Sequence, residues 1–383
     1  MRLHIVGGFL GSGKTTAIGA AARLLARQGV KVGVVTNDQG KNLVDTLFMD
    51  LQGTPTTEVT GGCFCCQFSD FSTKLAELAS SEKPEVIFAE AVGSCADVVA
   101  TVVSPITNAM HGDYLEALGF SGSPTFSVFC DARILDRRLS GETLPFSEDL
   151  LYLFDKQLDE AGLMVVNKSD LVQDLAALAH KLEQRYPGKP WRFQSSLRDA
   201  DILAWVDSLE RSDAEFSGHP ERVDYDRYGA AEASLAWADL VVDLHCGDPS
   251  KNLGALAIDF LRGLVLRVEN GIGPIGHAKA YLGGIGSIGG IGNTKMGATK
   301  EGAKISLVPA GNPYEIDLVP PFSGDLQLTV NIRAQGNPLA MQAIIETALD
   351  DFMRWQRLQG TVKAFNVFSP NPPSPPPQRI AQP

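Results

Sequence analysis

The chain has 383 residues, 44% of them hydrophobic and 20% charged, which is enough apolar material for about two domains and too much for extended disorder. Lys and Arg number 33 against 45 Asp and Glu, so the formal net charge is −12, the wrong sign for a protein that lies on nucleic acid or anionic lipid. The opening MRLHIVGGFLGSGKTT is broken by glycine and lysine too early for a signal peptide, and no run reaches the ~18–20 apolar residues of a spanning helix, so a cytoplasmic protein is expected.

In chain order, short apolar runs at 3–6, 32–36, 86–89, 125–130, 163–166 and 191–194 alternate with helix-period stretches such as 16–28, closed by Gly29, and 71–80, closed before Pro84. That alternation predicts right-handed βαβ units, hence an α/β P-loop domain over 1–211 with a mostly parallel sheet covered on both faces. The charged, turn-rich text of 212–236 has no clean period and reads as a linker. Over 237–369 the order is strand, helix, strand, strand, helix, strand, which predicts a smaller α+β domain of ferredoxin-like (βαββαβ) type, with a Gly-rich insertion and an extra hairpin near 303–318. The last stretch, 370–383, is too rich in proline for helix or ladder and reads as an extended tail.

Gly8-Phe9-Leu10-Gly11-Ser12-Gly13-Lys14-Thr15 satisfies G-x-x-x-x-G-K-[ST] between a strand and a helix. The glycines let backbone N–H groups close on phosphate at a helix N-terminus. Lys14 reaches the β- and γ-phosphates, and the Thr15 hydroxyl ligates Mg²⁺. Asn167-Lys168-Ser169-Asp170 follows another strand; a carboxylate only accepts hydrogen bonds, so Asp170 matches the ring N–H and amino group of guanine. Glu90-Ala91-Val92-Gly93 ends the 86–89 strand, with Glu90 facing Mg²⁺ through water and the Gly93 N–H facing the γ-phosphate. Asn37-Asp38-Gln39-Gly40 is the natural place for a segment that senses that phosphate.

Gly61-Gly62-Cys63-Phe64-Cys65-Cys66 carries three thiols in four positions. They can converge as soft ligands on Zn²⁺, which leaves a fourth position open or filled from elsewhere; a Cys63–Cys66 redox pair and simple burial are the alternatives. In a reducing compartment all six cysteines read as thiols before disulfides. Cys95 and Cys130 are isolated, and Cys95 is retained as a candidate only for its place two residues after Gly93. Two G-x-G-x-x-G windows, 271–276 and 284–289, lack the strand before and helix after that a dinucleotide needs. His245-Cys246 and His277 read as ordinary strand residues, because the expected strand order keeps them apart.

Taken together, GFLGSGKTT, GGCFCC, E-x-x-G and NKSD resemble the CobW-type family of P-loop GTPases, relatives of the nickel chaperones UreG and HypB, across most of 1–210. The resemblance implies a metal-dependent GTPase acting as a metallochaperone, for zinc in most members and cobalt in some, with Cys63, Cys65 and Cys66 as its metal-binding C-x-C-C element. This chain departs from the family pattern with Ala91-Val92 inside E-x-x-G, with Asp38 where the family has Glu, and with six histidines that never cluster. The nucleotide is then expected on Gly8, Gly11, Ser12, Gly13, Lys14, Thr15, Thr16, Gly93, Asn167, Lys168 and Asp170. Catalysis is expected from Lys14, Thr15, Asp38 and Glu90. Zn²⁺ or Co²⁺ is expected on the three cysteines and Mg²⁺ on Thr15 and Glu90. The expected partners are GTP and GDP, a metal-receiving client protein and a second copy in a homodimer.

Overall fold

The computed structural model describes residues 1–40, 44–51, 53–109, 118–211, 216–248, 250–285, 302–307, 315–316 and 325–370. The chain divides into two compact units: Met1–Gln39 with Gln52–Ala231, and Gly40–Leu51 with Glu232–Asn371.

In the first unit, near-continuous apolar runs form strands covered on both faces. β1 (Arg2–Gly8), β2 (Val32–Asp38), β3 (Thr56–Thr60), β4 (Val86–Glu90), β5 (Thr125–Asp131), β6 (Leu163–Asn167) and β7 (Trp191–Phe193) make one parallel sheet in the order β3-β2-β4-β1-β5-β6-β7. α1 (Lys14–Arg27) follows β1, and α2 (Val44–Leu51) leaves this unit for the second. α3 (Phe68–Glu82), α4 (Ala132–Leu139), α5 (Glu148–Glu160), α6 (Leu175–Arg185) and α7 (Asp199–Arg211) follow, with further helical turns over Val99–Val103 and Pro105–Ala109, and α8 (Tyr225–Ala233) runs to the boundary of the unit. The strand order reverses at β1, which lies between β4 and β5, and in an open parallel sheet the ligand crevice opens at the carboxyl ends of the strands at such a switch point. Beneath it, Trp205 of α7 is fully buried, 5.6 Å from the Phe88 ring and 5.1 Å from Phe129, and its indole N–H donates to Ser127 Oγ at 3.1 Å. Truncating such a side chain costs about 3–5 kcal/mol.

The second unit is an antiparallel sheet of β8 (Leu235–His245), β9 (Ile275–Gly283), β10 (Gly302–Leu307), β11 (Glu315–Ile316), β12 (Leu326–Gln335) and β13 (Gln359–Phe368), ordered β11-β10-β9-β12-β8-β13. α9 (Leu253–Gly271) and α10 (Pro338–Gln356) pack on each other, Phe260 and Phe352 meeting at 4.8 Å, and share one core with the sheet. The period of two sends Ala236, Ala238, Leu240, Val242 and Leu244 of β8 into that core and leaves Asp239 and Asp243 for the other face. There the buried Arg333 donates to Asp239 Oδ1 at 2.9 Å and lies over the Trp237 ring. α2 also packs against β9, β10 and β12: Val44 N donates to Asn331 Oδ1 at 2.8 Å, and Asp45 pairs with Lys279 at 2.5 Å and Lys304 at 3.0 Å. Burial pushes the Asp45 carboxyl up, but the two ammonium groups outweigh it and hold the carboxyl well below the usual range.

The structure differs from the sequence expectation in several places. The stretch expected as a linker, 212–236, contains α8, and the units divide after Ala231, because Tyr228 and Ala231 are buried in the first unit. The first unit also loses 40–51, the α2 segment, to the second. Gly271 closes a helix and Ile275 opens a strand, the reverse of what a dinucleotide fingerprint needs. The second glycine window from 286 onward, residues 212–215, most of the 308–318 hairpin arm and the tail from 371 lie outside the described residues.

Candidate functional site

The expected nucleotide and metal residues lie at the carboxyl ends of first-unit strands or in the loop, turn or helix start that follows each. Gly8 ends β1 at φ +126°, where a Cβ would collide with the Phe129 backbone of β5. Gly13, at φ +91°, leads into α1 with no side-chain cap, and the N-terminus of a helix favours an anion. Ser12 Oγ is buried and has no hydrogen-bond partner among the described residues, while Gly11 turns the loop and Thr16 is half-buried in α1. Lys14 is buried, and its Nζ donates to Gly8 O at 2.7 Å and Phe9 O at 3.4 Å, closing the loop on its own carbonyls. The Thr15 hydroxyl donates to Glu90 Oε1 at 2.8 Å, so the two expected Mg²⁺ residues do meet as a hard-oxygen pair. A Cβ on Gly93 would stand 3.1 Å from Leu10 N, which sets the E-x-x-G turn against the phosphate loop.

The N-K-S-D segment locks onto the same loop. Asn167 Nδ2 donates to Ser12 O at 2.8 Å, and a Cβ on Gly13 would strike that amide. Asn167 Oδ1 accepts from Ser196 N at 3.0 Å and Ser196 Oγ at 2.9 Å, and Ser169 N donates to Gln194 O at 3.1 Å. Lys168 takes φ +59°, and its Nζ lies 3.6 Å from Asp131 Oδ2. Burial raises the Asp131 carboxyl, yet the Arg133 hydrogen bonds and the Lys168 charge hold it below its ordinary value. Asp170 sits exposed in a 3-10 turn, Ser169–Leu171. Ser196, Gln194 and Asp131 escaped the sequence reading, and their only signal was polar residues at strand ends β5 and β7.

Asn37 makes its contacts on the side of the thiol loop. Its Nδ2 donates to Val59 O at 3.0 Å and Gly62 O at 2.7 Å, and its Oδ1 accepts from Phe64 N at 2.9 Å, so it ties the thiol loop to the end of β2. Asp38 is the last residue of β2, paired in register with Thr60, and its side chain lies outside the described residues. Phe64, fully buried and 4.2 Å from the Phe71 ring, anchors the loop from below. Cys66 N and Gln67 N both donate to Cys63 O, a tight turn that brings Cys63, Cys65 and Cys66 Sγ within 4.8 Å of one another. Cys63 and Cys65 are buried and Cys66 is exposed.

Within this turn Cys63 and Cys65 are disulfide-bonded, which corrects the expectation of six thiols and of a Cys63–Cys66 pair. The turn holds the Cα atoms of Cys63 and Cys65 5.3 Å apart, within bridging range. Cys66 Sγ lies 3.0 Å from Cys63 Sγ and 3.8 Å from Cys65 Sγ. Cys95, isolated in sequence, brings its Sγ to 3.6 Å from Cys65 Sγ. Cys130 is buried in β5, where burial pushes its thiol pKa up. In the second unit His245 pairs with Asp325 at 2.8 Å, and β12 separates its strand from that of His277. Among the described residues no helix is long and apolar enough to cross a membrane.

The chain is similar in sequence to several known proteins. The family described as CobW/HypB/UreG, nucleotide-binding domain, matches residues 2–190. Zinc chaperone CobW of Sinorhizobium sp is 28% identical over 217 residues, 53% of this chain and 60% of that protein. Zinc chaperone YeiR of Escherichia coli K12 is 30% identical over 176 residues, 44% of this chain and 47% of that one. The chain thus spans about half the length of the curated relatives it matches. HypB from Helicobacter pylori, solved in complex with nickel, aligns with a TM-score of 0.40 at 16% identity, over 58% of this chain and 92% of that one.

Proposed function

Since residues 2–190 belong to the CobW/HypB/UreG nucleotide-binding domain family, we propose that this chain is a GTP-hydrolysing metallochaperone that holds Zn²⁺, or Co²⁺, on its cysteine loop and passes it to a client protein. The observation that carries the reading is the shared edge: a phosphate cradle and a convergent thiol cluster at the strand ends of one sheet, with Asn37 joining the second to β2. Two matched relatives are named zinc chaperones, and soft thiolates favour zinc over hard cations.

On GTP binding, Lys14 exchanges the Gly8 and Phe9 carbonyls for β- and γ-phosphate oxygens, and the uncapped N–H groups of α1 add their dipoles. Thr15 and Glu90 are the residues that would hold Mg²⁺, which neutralises charge on the β- and γ-phosphates when bound. The N–H of Gly93 faces the γ-phosphate, Asp170 reads the guanine edge, and Asp38 orients the attacking water. Hydrolysis is then almost wholly positioning and electrostatic stabilisation. The second unit, whose strands β13-β8-β12-β9 follow the 4-1-3-2 antiparallel order, is read as ferredoxin-like and as a contributor to client recognition and to a homodimer. The second reading is a GTP-dependent redox or client-binding switch without metal transfer, and the Cys63–Cys65 disulfide favours its redox form.

The test is phosphate release from GTP together with elemental analysis of reduced protein purified without a His tag. About one Zn²⁺ per chain, lost in Cys66→Ser, supports the chaperone. GTP turnover with no bound metal would leave the redox switch.

A further inference from the structure

The turn cluster supplies three sulfurs, whereas a closed zinc site takes four ligands. With Zn–S near 2.3 Å, the edges of a regular ZnS₄ tetrahedron are ~3.8 Å long. Cys65 and Cys66 Sγ are 3.8 Å apart and Cys65 and Cys95 Sγ 3.6 Å, so two of the six sulfur pairs have that spacing, while the bonded Cys63–Cys65 pair and the Cys63–Cys66 pair at 3.0 Å must open to reach it. Cys95 comes from a different strand end, 30 residues further along the chain. Its position is set independently of the loop: Cys95 N donates to Val92 O at 3.0 Å, and the buried Gln157 amide donates to Gly93 O at 3.1 Å and Cys95 O at 2.9 Å.

We propose that Cys95 is the fourth thiolate of the metal site, so that reduced Cys63, Cys65, Cys66 and Cys95 enclose one soft divalent ion. This deepens the metal-binding reading above and rests on it. The site would be loaded from the side of Cys66, its exposed member, since Cys63, Cys65 and Cys95 are buried. A dithiol reductant must first supply two electrons and two protons, becoming a disulfide itself as the Cys63–Cys65 bond opens to two thiols; each of the four thiols then gives up its proton as it binds the ion.

The position of Cys95 also says what the nucleotide could change. Gly93 lies against Leu10 of the phosphate loop, and Cys95 follows two residues later on the same pinned turn. Loss of the γ-phosphate that lets the thiol loop move away from the pinned Cys95 turns a closed four-coordinate site into an open three-thiolate one, from which a client can take the ion.

The experiment uses the full chain reduced with a phosphine. Sulfur coordination is counted by zinc-edge X-ray absorption, and Co²⁺ is titrated while the thiolate charge-transfer band is followed. The wild type should count four sulfurs. Cys95→Ser, and Cys95→Ala as a second variant with the same cooperative unfolding, should count three, lose about one quarter of the band and bind Zn²⁺ at least ~10-fold more weakly. A count of three in the wild type, or an unchanged band and Zn²⁺ affinity in the folded variants, overturns the inference. Cys66→Ser separates the two readings. If it lowers the band while Cys95→Ser does not, the metal site stands without Cys95; if neither variant lowers it, the metal-binding reading fails as well.

Discussion

The phosphate loop and the thiol loop open on the same edge of one sheet but are held in opposite ways. The phosphate loop is clamped on several sides, by β5 against Gly8, by Asn167 against Gly13 and Ser12, and by Gly93 against Leu10. The thiol loop follows the outermost strand, β3, and is held to β2 by Asn37, whose side chain bonds Gly62 O and Phe64 N of the loop and Val59 O of β3, and by the packing of Phe64. Stabilising a developing phosphate charge calls for dipoles that do not reorganise. Releasing a bound ion calls for a segment that gives way at modest cost, and a loop beside the outermost strand suits that better than one clamped in the centre of the sheet.

Lys14→Ala should give the largest effect that keeps the two loops separate. It removes charged hydrogen bonds to phosphate worth about 2–3 kcal/mol, so GTP affinity measured by calorimetry should fall roughly 30–150-fold. Zn²⁺ affinity without nucleotide should stay as it was, and an equal fall in both would mean the loops are one structural unit. Asn37→Ala is the reciprocal test. Cutting the tether should weaken Zn²⁺ about 10–100-fold, the usual range for residues that orient ligands, while GTP affinity changes by less than ~3-fold. Unchanged zinc binding would show that Phe64 alone sets the loop.

Asp170→Asn probes the exposed end of the cradle. An amide donates where the carboxylate only accepted, so GTP affinity should drop about 10-fold and xanthosine triphosphate should gain. Wild-type protein that binds ATP as well as GTP would refute that role.

The smallest effect concerns Glu160, whose carboxylate accepts from Val99 N at 3.1 Å, four residues past Cys95. Burial raises its pKa well above the ordinary 4.5; the Val99 N–H opposes this and the Asp97 charge adds to it. A buried acid with a raised pKa costs nothing below pH 4.5, where folded and unfolded chains are both protonated. The cost grows as pH climbs toward the raised value, because the unfolded chain ionises first. Glu160→Gln should therefore melt about 2–4 °C above wild type at pH 8, with the gap closing toward pH 4; a gap independent of pH would contradict the assignment.

The clamped region was the legible one. A phosphate loop needs glycines and a lysine at fixed spacing, and N-K-x-D needs its strand end, so local sequence carried both. The parallel sheet was equally readable, since each long strand is a continuous apolar run; β3 was not, because it is short, rich in threonine and only partly buried. What sequence could not supply were meetings across strands. The Asn37 tether, the Ser196 contact with Asn167 and the approach of Cys95 to Cys65 join residues 22 to 30 positions apart, and no spacing rule predicts them. The transfer of α2 to the second unit was hidden for the same reason: Asp45 finds Lys279 and Lys304 only once the sheet has formed.

The central claim is that nucleotide and metal share one energetic account through the edge they both occupy. Coupling of this kind is reciprocal and typically amounts to ~5–150-fold. The direct measurement is a competition titration of Zn²⁺ against a chelator, on reduced protein with a non-hydrolysable GTP analogue, with GDP and with no nucleotide. The expected result is a Zn²⁺ affinity at least ~5-fold higher with the GTP analogue than with GDP, matched by an equal gain in analogue affinity when Zn²⁺ is bound. Equal Zn²⁺ affinity in all three nucleotide states would contradict it.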